Sequence, residues 1–494
     1  LGGPQASATN IETVKAFKFV DGVIVGEGEK AFPALLDAVK EDTDLNKVPN
    51  LTWRSGAVVI ENSLIPMIEC FDDIPLPAYD LNPSPLKGCR EIPVESGRGC
   101  PFRCSYCSTS RFWGSRFRMK SVSRLIGDIS HLIEKYEVTS IELVQDNFAS
   151  SPNYVRDFCR AIKESNLEFN WGCSARLDVL EDSLIKEMAD SGCTRLFFGV
   201  ETGSKRIQKI INKKMDYSKL IPSAERVVDN GIKFTASFIT GFREETLDDL
   251  YKTLVLMFKL RYISGSRNFS HLHILSPLPA TPLLKENMDT ILFDGQPSDI
   301  CVSIQNEEDN LLISKHPAIF SSFYRIPTPH LEKSLLQKVY LIIIFAQDFP
   351  FSLFLLWNRE KDRLVELILS EAVHLQLDDV NFFAQERLDV LDNIYHFFIN
   401  NIITRMTDTT GILEMMRYEY CSNIVQKKGK HIEVFPYDIE HIMSRIMKRE
   451  FDESLFREQS AVGFLFVYQD ETVKTTKLAD PITKMLLESD ALGN

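Results

Sequence analysis

Residues 95–114 read ESGRGCPFRCSYCSTSRFWG and place Cys100, Cys104 and Cys107 within eight residues. A structural zinc site takes four protein ligands, with a second Cys or His pair following at finger-like spacing. The residues after Cys107, STSRFWGSRFRMK, supply no such pair. A redox dithiol would use Cys104-x-x-Cys107 and leave Cys100 without a role. Three thiolates with an open fourth position suit a 4Fe-4S cluster in which one iron stays free for a substrate or cofactor.

Working outward from this loop, residues 91–285 repeat a β-branched or aromatic run, a turn and an amphipathic helix, the rhythm of βα units. The candidate strands are REIPVES, TSIELVQD, FNWGCSA, TRLFFGVE, IKFTASFIT and NFSHLHILSP, with helices such as SVSRLIGDISHLIEKY and SLIKEMADSG between them. The expected fold class is therefore α/β, with a partial (βα)6 barrel over 91–285 that has too few strands for a full eight-stranded one. Chemistry in such folds collects at the C-terminal ends of the strands, and the three-cysteine loop follows the first of them.

Residues 1–45, with DGVIVGEGEKAFPALLDAV, read as the end of an α/β layered domain: a buried strand, a Gly-rich turn and a helix. Residues 46–90 hold a hairpin around Ser55-Gly56 and then a Pro-rich connector. After 285 the rhythm stops, and 286–494 reads as a mainly helical C-terminal domain that ends in a hairpin followed by a helix. VYLIIIFAQDFPFSLFLLW (residues 339–357) is as long as a membrane span, but Gln347, Asp348 and Pro350 interrupt it, so it is read as a buried helix pair and no transmembrane span is expected.

The 494 residues carry a net charge of -13, which argues against broad attraction to nucleic acid or anionic membrane. Ten cysteines spread over this length, with no secretory signal, fit a reducing cytoplasm better than a disulfide framework. Cys159, Cys173, Cys193, Cys301 and Cys421 read as small buried residues, and Cys70 and Cys89 fall in or beside the connector. His271 and His273 alternate onto one face of a strand. The opening LGGPQAS, without an initiator Met, reads as the continuation of a longer chain.

CPFRCSYC resembles the Cys-x3-Cys-x-aromatic-Cys signature of the radical S-adenosylmethionine (SAM) superfamily, with Tyr106 in the aromatic position. The resemblance implies that Cys100, Cys104 and Cys107 hold a 4Fe-4S cluster whose free iron chelates the amino and carboxylate groups of SAM. Reductive cleavage of SAM then gives a 5'-deoxyadenosyl radical, the cofactor carrying the chemistry and the barrel positioning it.

Carried over strand by strand, the resemblance assigns SAM contacts to Gln145, Asp146 and Asn147 in VQDNF, where the familiar Gly-Gly-Glu form is absent. It assigns others to Ser174 and Arg176 in CSARLD, with Arg176 toward the methionine carboxylate. Glu201 and Thr202 in FFGVETGS match the family's Gly-x-Glu-[ST]-Gly turn. Thr240 and Gly241 in SFITGFREET match the turn beside the adenine, with Arg243 standing where the family commonly has Pro.

The first forty residues are similar to the end of the cobalamin-binding domain that precedes the barrel in one large, class B methyltransferase-like subgroup. Gly2, Gly3 and Pro4 would end a strand there, and Gly26, Glu27, Gly28 and Glu29 would form a turn near the corrinoid. The implied function is a cobalamin-dependent methyltransferase acting on an unactivated carbon or phosphorus of a small-molecule or peptide-like substrate. An external electron donor such as flavodoxin or ferredoxin is implied with it. Two other readings stay open at this point: a radical SAM rearrangement or cyclisation enzyme without methyl transfer, and a non-catalytic zinc-thiolate scaffold. The sequence singles out no catalytic acid, base or hydrogen donor.

Overall fold

In the computed structural model, residues 22–24 form strand β1 (Gly22–Ile24), which pairs antiparallel with β2 (Leu51–Ser55). A tight turn, in which Gly56 takes φ +60, leads into β3 (Val58–Glu61) and makes the expected hairpin. The intervening helix Gly28–Lys40 buries Ala31 and Ala38 against Ile24, Val48 and Leu51. Leu1 extends this small sheet, its carbonyl accepting from Ile24 N–H at 2.9 Å, and a helix begins at Gly3. The structure describes residues 1–81, 91–265, 268–295, 306–375, 387–406, 408–457, 461–469, 472–480 and 482–484. Cys89 and Cys301 lie outside them.

The chain divides into two compact units, Leu1–Glu245 with His273–Thr328, and Thr246–Leu272 with Pro329–Asn494. The first contains β4 (Glu91–Glu95), β5 (Gly97–Arg98), β6 (Arg118–Met119), β7 (Ser140–Val144), β8 (Asn170–Ser174), β9 (Cys193–Glu201) and β10 (Lys233–Thr240). With β11 (Phe269–Ile274) the long strands form one six-stranded sheet in the order β11-β10-β9-β8-β7-β4. The register is parallel from β4 to β7, β7 to β8, β8 to β9 and β9 to β10. This is a partial (βα)6 barrel, as the sequence rhythm predicts.

Alternation along the strands sorts the side chains onto two faces. Ile92, Val94, Ile141, Leu143, Trp171, Leu196 and Phe198 are buried under helices whose apolar residues recur at helical spacing. Leu125, Ile129 and Leu132 come from Val122–Tyr136, and Val155, Phe158 and Ile162 from Pro152–Ser165. Phe148, Phe158 and Trp171 meet edge to face with centroids 5.4 to 6.1 Å apart. Each such side chain contributes about 1.5–3 kcal/mol on leaving water. The alternate residues Glu142, Val144, Arg195 and Phe197 stay partly or well exposed on the other face.

The second unit is mainly helical, with Lys333–Phe345, Pro350–Glu360, Asp362–Glu371, Arg387–Phe397, Ile412–Lys428 and Ile439–Met447. Pro350 starts a new helix instead of continuing the previous one, and the apolar stretch folds back as a pair bent by 113°. Among the described residues no single helix is long and apolar enough to cross a membrane. The buried Glu419 carboxylate caps the second helix of the pair, accepting from Phe351 N–H at 2.7 Å and Ser352 N–H at 3.0 Å. The expected hairpin is β13 (Val462–Gln469) with β14 (Thr472–Lys477), joined by a third strand, β12 (Lys430–Phe435), that the helical reading of this region overlooked. The helix expected after the hairpin falls largely outside the described residues.

Candidate active site

The cysteine loop is closed at its base by a two-residue ladder, Gly97 opposite Met119 and Arg98 opposite Arg118. Only glycine fits at two points of this closure. Gly99 has φ +93, and a Cβ there would stand 1.9 Å from the Arg116 carbonyl oxygen, while one on Gly97 would stand 2.3 Å from that of Arg118. Within the loop Cys107 N–H donates to the Cys104 carbonyl at 3.4 Å. Cys104 is buried, Cys100 and Cys107 are half-buried, and none of the three is in a disulfide.

Two residues expected to touch SAM hold this loop in place. Asp146 accepts from Gly99 N–H at 2.8 Å through one oxygen and from the Thr109 hydroxyl at 3.1 Å through the other. Gln145 donates to the Gly99 carbonyl at 3.1 Å, and its buried Oε1 has no hydrogen-bond partner among the described residues. The same is true of Asn147 Oδ1.

Arg176 is fully engaged. It forms a fork with Asp178 at 3.0 and 2.8 Å, donates to the Lys213 and Lys214 carbonyls at 3.0 Å each, and lies 3.9 Å over the Phe102 ring. The turn it orders grips the middle of the cysteine loop: Ser105 N–H donates to Ile211 O at 2.9 Å, and Asn212 donates to Arg103 O at 2.8 Å. Ser174 ends β8 half-buried on the wall of a cavity described below.

Glu201 sits at φ +69 at the end of β9, paired with the buried Lys213 ammonium at 2.8 Å. Gly199 makes room for the pair, since a Cβ there would come within 2.1 Å of the Glu201 carboxylate. Tyr106, whose hydroxyl feels the nearby Glu201 charge, packs edge-on against Phe242 at 6.2 Å. Burial and then the Glu201 charge hold that hydroxyl well above its ordinary pKa, so it stays a donor. Lys213 was not singled out in the sequence, where it is one of two lysines in a polar turn. Thr202 is buried, its carbonyl accepting from the Tyr217 hydroxyl and its own hydroxyl from Ser204 N–H at 3.1 Å. At the end of β10 the Glu245 carboxylate, also overlooked, accepts from the Thr240 hydroxyl at 2.9 Å and Gly241 N–H at 2.6 Å. Arg243 donates to Asn287 and Thr290 at 3.2 and 3.1 Å.

Burial raises the thiols of Cys100 and Cys104 above their ordinary range. Lys213 and Arg176 oppose the rise at Cys104, and the Phe102 backbone and the Asn147 side chain beside the thiol each oppose it at Cys100. The donor set fits an iron-sulfur cluster: three thiols on one loop, none in a disulfide, with the Lys213 and Arg176 charges opposing the effect of burial at Cys104.

The N-terminal turn reaches the same loop. Glu27 accepts from Ile68 N–H at 2.6 Å and pairs with Arg98 and Arg118 at 3.0 Å each, and Glu29 pairs with Arg98 at 2.5 Å. Gly26, at φ +80, donates its N–H to the Ser7 hydroxyl at 2.9 Å. Gly28 opens the helix that follows. Gly2 and Gly3 stand at the turn from Leu1 into the first helix, Gly3 at φ +88.

Two cavities flank the residues that follow Cys107. One, of 520 Å³, is lined by Gly97, Thr109, Gln145, Asp146 and Ser174. The other, of 480 Å³ and mostly apolar, is lined by Ser7, Gly26, Glu27, Met67, Arg111 and Leu278. Pro4, Ser108 and Phe112 line both.

The partial barrel thus carries a three-thiol loop after its first strand and polar side chains at the other strand ends. Residues 94–257, about a third of the chain, match the model of the Radical SAM superfamily. The chain is 31% identical over 286 residues to an uncharacterized methyltransferase of Pyrococcus horikoshii, covering 57% of this chain and 61% of the relative. It is 27% identical over 228 residues to the cytidylyl-2-hydroxyethylphosphonate methyltransferase of Streptomyces wedmorensis, covering 40% and 43% respectively. The matches thus span less than two thirds of either relative. Among solved structures, the cobalamin-dependent SAM radical enzyme OxsB with aqua-cobalamin bound superposes at TM-score 0.54 over 93% of this chain and 71% of that one. At 16% identity that likeness is one of fold.

Proposed function

We propose that this chain is a radical SAM enzyme, a cobalamin-dependent methyltransferase acting on an unactivated carbon or phosphorus of a small-molecule or peptide-like substrate. The observation that carries the reading is the wall shared by the two cavities, Pro4 with Ser108 and Phe112, the last two within five residues of the last cluster cysteine. One cavity adjoins the residues assigned to SAM and the other the Gly26-Glu27 turn assigned to the corrinoid. Two cofactors with a common reacting partner need that kind of adjacency.

Cys100, Cys104 and Cys107 would hold the cluster, leaving its fourth metal position to SAM. When bound, these groups supply the electron that cleaves SAM and the methyl group that is transferred. The chain's own residues do the positioning. Asp146 and Gln145 fix Gly99, and so the direction in which Cys100 leaves the barrel. The 211–214 turn fixes the stretch between Cys104 and Cys107. The Glu201-Lys213 pair presents a carboxylate and an ammonium where the amino and carboxylate groups of an amino-acid cofactor could be matched. Thr240 and Gly241 offer backbone for close approach of the adenine. Gly2, Gly3, Gly26 and Gly28 do the same for the corrinoid, while Glu27 and Glu29 act through Arg98. Reducing equivalents would come from an external flavodoxin- or ferredoxin-type donor in the cytoplasm.

Anaerobically reconstituted protein incubated with SAM, reductant and cobalamin tests the reading. S-adenosylhomocysteine that forms only when cobalamin is present is the expected result. Formation of 5'-deoxyadenosine alone, with or without cobalamin, would contradict it and favour rearrangement or cyclisation.

A further inference from the structure

In the second unit, the polarity of β12 is inverted. His431 and Glu433 alternate onto the face that carries the fully buried Phe435, while Ile432, on the opposite face, is 47% exposed. The inner face is fixed by contacts: Phe435 meets Tyr418 of helix Ile412–Lys428 at 5.5 Å, and the His431 ring meets Phe466 at 6.3 Å. An imidazole and a carboxylate turned inward from a sheet are costly unless something there pairs with them.

What they face is Cys421 of the same helix, itself 3% exposed. Its Sγ, one imidazole nitrogen of His431 and one carboxylate oxygen of Glu433 all lie within 4.8 Å of one another. His431 Nε2 and Glu433 Oε2 are 2.9 Å apart, and Arg417 stands 3.8 Å from the other oxygen, Oε1.

We propose that Cys421, His431 and Glu433 bind one divalent transition-metal ion, zinc by the chemistry of the donors. Thiolate, imidazole and carboxylate are the three ligand types of protein zinc sites, with bonds of about 2.0–2.3 Å, so donors sharing the ion sit roughly 3–4 Å apart. The observed separations, all within 4.8 Å, lie close to that spacing. A thiolate and a carboxylate bring two negative charges, which the ion balances. Arg417 keeps Oε1 while the metal takes Oε2 in place of the imidazole. Three protein ligands leave a fourth position for water or another donor. The ion ties helix Ile412–Lys428 to β12 across the turn at Gly429, so binding and folding of this corner are linked.

The loop cysteines also bind metals, so the test uses the full chain carrying Cys100→Ala, Cys104→Ala and Cys107→Ala, with cobalt(II) as an anaerobic probe. The expected result is one equivalent of cobalt with a thiolate-to-cobalt charge-transfer band, displaced by zinc. Cys421→Ser should remove the band. His431→Gln should weaken binding by more than the roughly 100-fold that loss of an outer-shell partner costs. A chain of native circular dichroism that shows no band, or whose band and affinity are unchanged by His431→Gln, overturns the proposal and leaves a His-Glu ion pair beside a thiol. Should Cys421→Ser unfold, the variant at the partly buried His431 decides.

Discussion

The Glu27 carboxylate gathers one backbone amide and two guanidinium groups, and both Arg98 and Arg118 also stack over Phe71 at 5.1 Å. Burial alone would raise its pKa, but the hydrogen bonds from Arg118 and Ile68 and the Arg118 charge hold it below the ordinary value of 4.5. A depressed carboxylate contributes stability above its unfolded pKa and loses it as pH falls through the folded one. The wild-type chain should therefore lose this contribution below about pH 4.5. Glu27→Gln, which leaves the buried Arg118 without its charge partner, should cost about 3–5 kcal/mol at neutral pH, read from urea denaturation, and should flatten that acid limb. An unchanged urea midpoint would show the network to be dispensable. Glu27 was legible as a residue of interest from its turn, but its partners lie 71 and 91 positions away. Lys213 was illegible for a related reason: nothing in INKKM distinguishes a buried ammonium from a solvated one until the fold brings Glu201 to it.

At the level of elements, the barrel strands were readable because β-branched or aromatic runs alternate with amphipathic helices from unit to unit. The strand β12 was not, because KHIEVF follows a long helix and inward His431 and Glu433 spoil the apolar alternation that marks a strand. The β5-β6 ladder is two residues long and has no periodicity to read. Its importance shows in Gly99, whose φ and close approach to Arg116 O exclude a side chain. Gly99→Ala should destabilise by at least about 1 kcal/mol and, by shifting the loop, lower the iron retained after reconstitution. Full iron content in that variant would show that the loop tolerates another path.

Across the whole molecule, charge and cysteine usage restricted the possibilities, and the cysteine motif with six βα units specified the barrel. The second unit remained the least legible, because helices of near-uniform apolarity carry little positional information. Three thiols outside the cluster loop, Cys159, Cys173 and Cys193, are buried in the first unit. Burial pushes Cys159 up to about 11 and the other two further. Unfolded thiols titrate near the ordinary 9.0, so the unfolded chain loses protons first and stability falls as pH rises from about 9 through 11. Alanine at Cys159 should reduce that alkaline slope in denaturation series between pH 8 and 11, and an unaltered slope would assign the loss to other groups.

The central claim is that three thiolates hold a cluster with one iron open to SAM. It is tested most directly by electron paramagnetic resonance of the reconstituted, reduced protein with and without SAM, beside Cys104→Ala. A cluster signal that shifts on adding SAM, absent from a Cys104→Ala protein that still folds, is the predicted result. A signal indifferent to SAM, or no cluster in folded wild-type protein, would contradict the account.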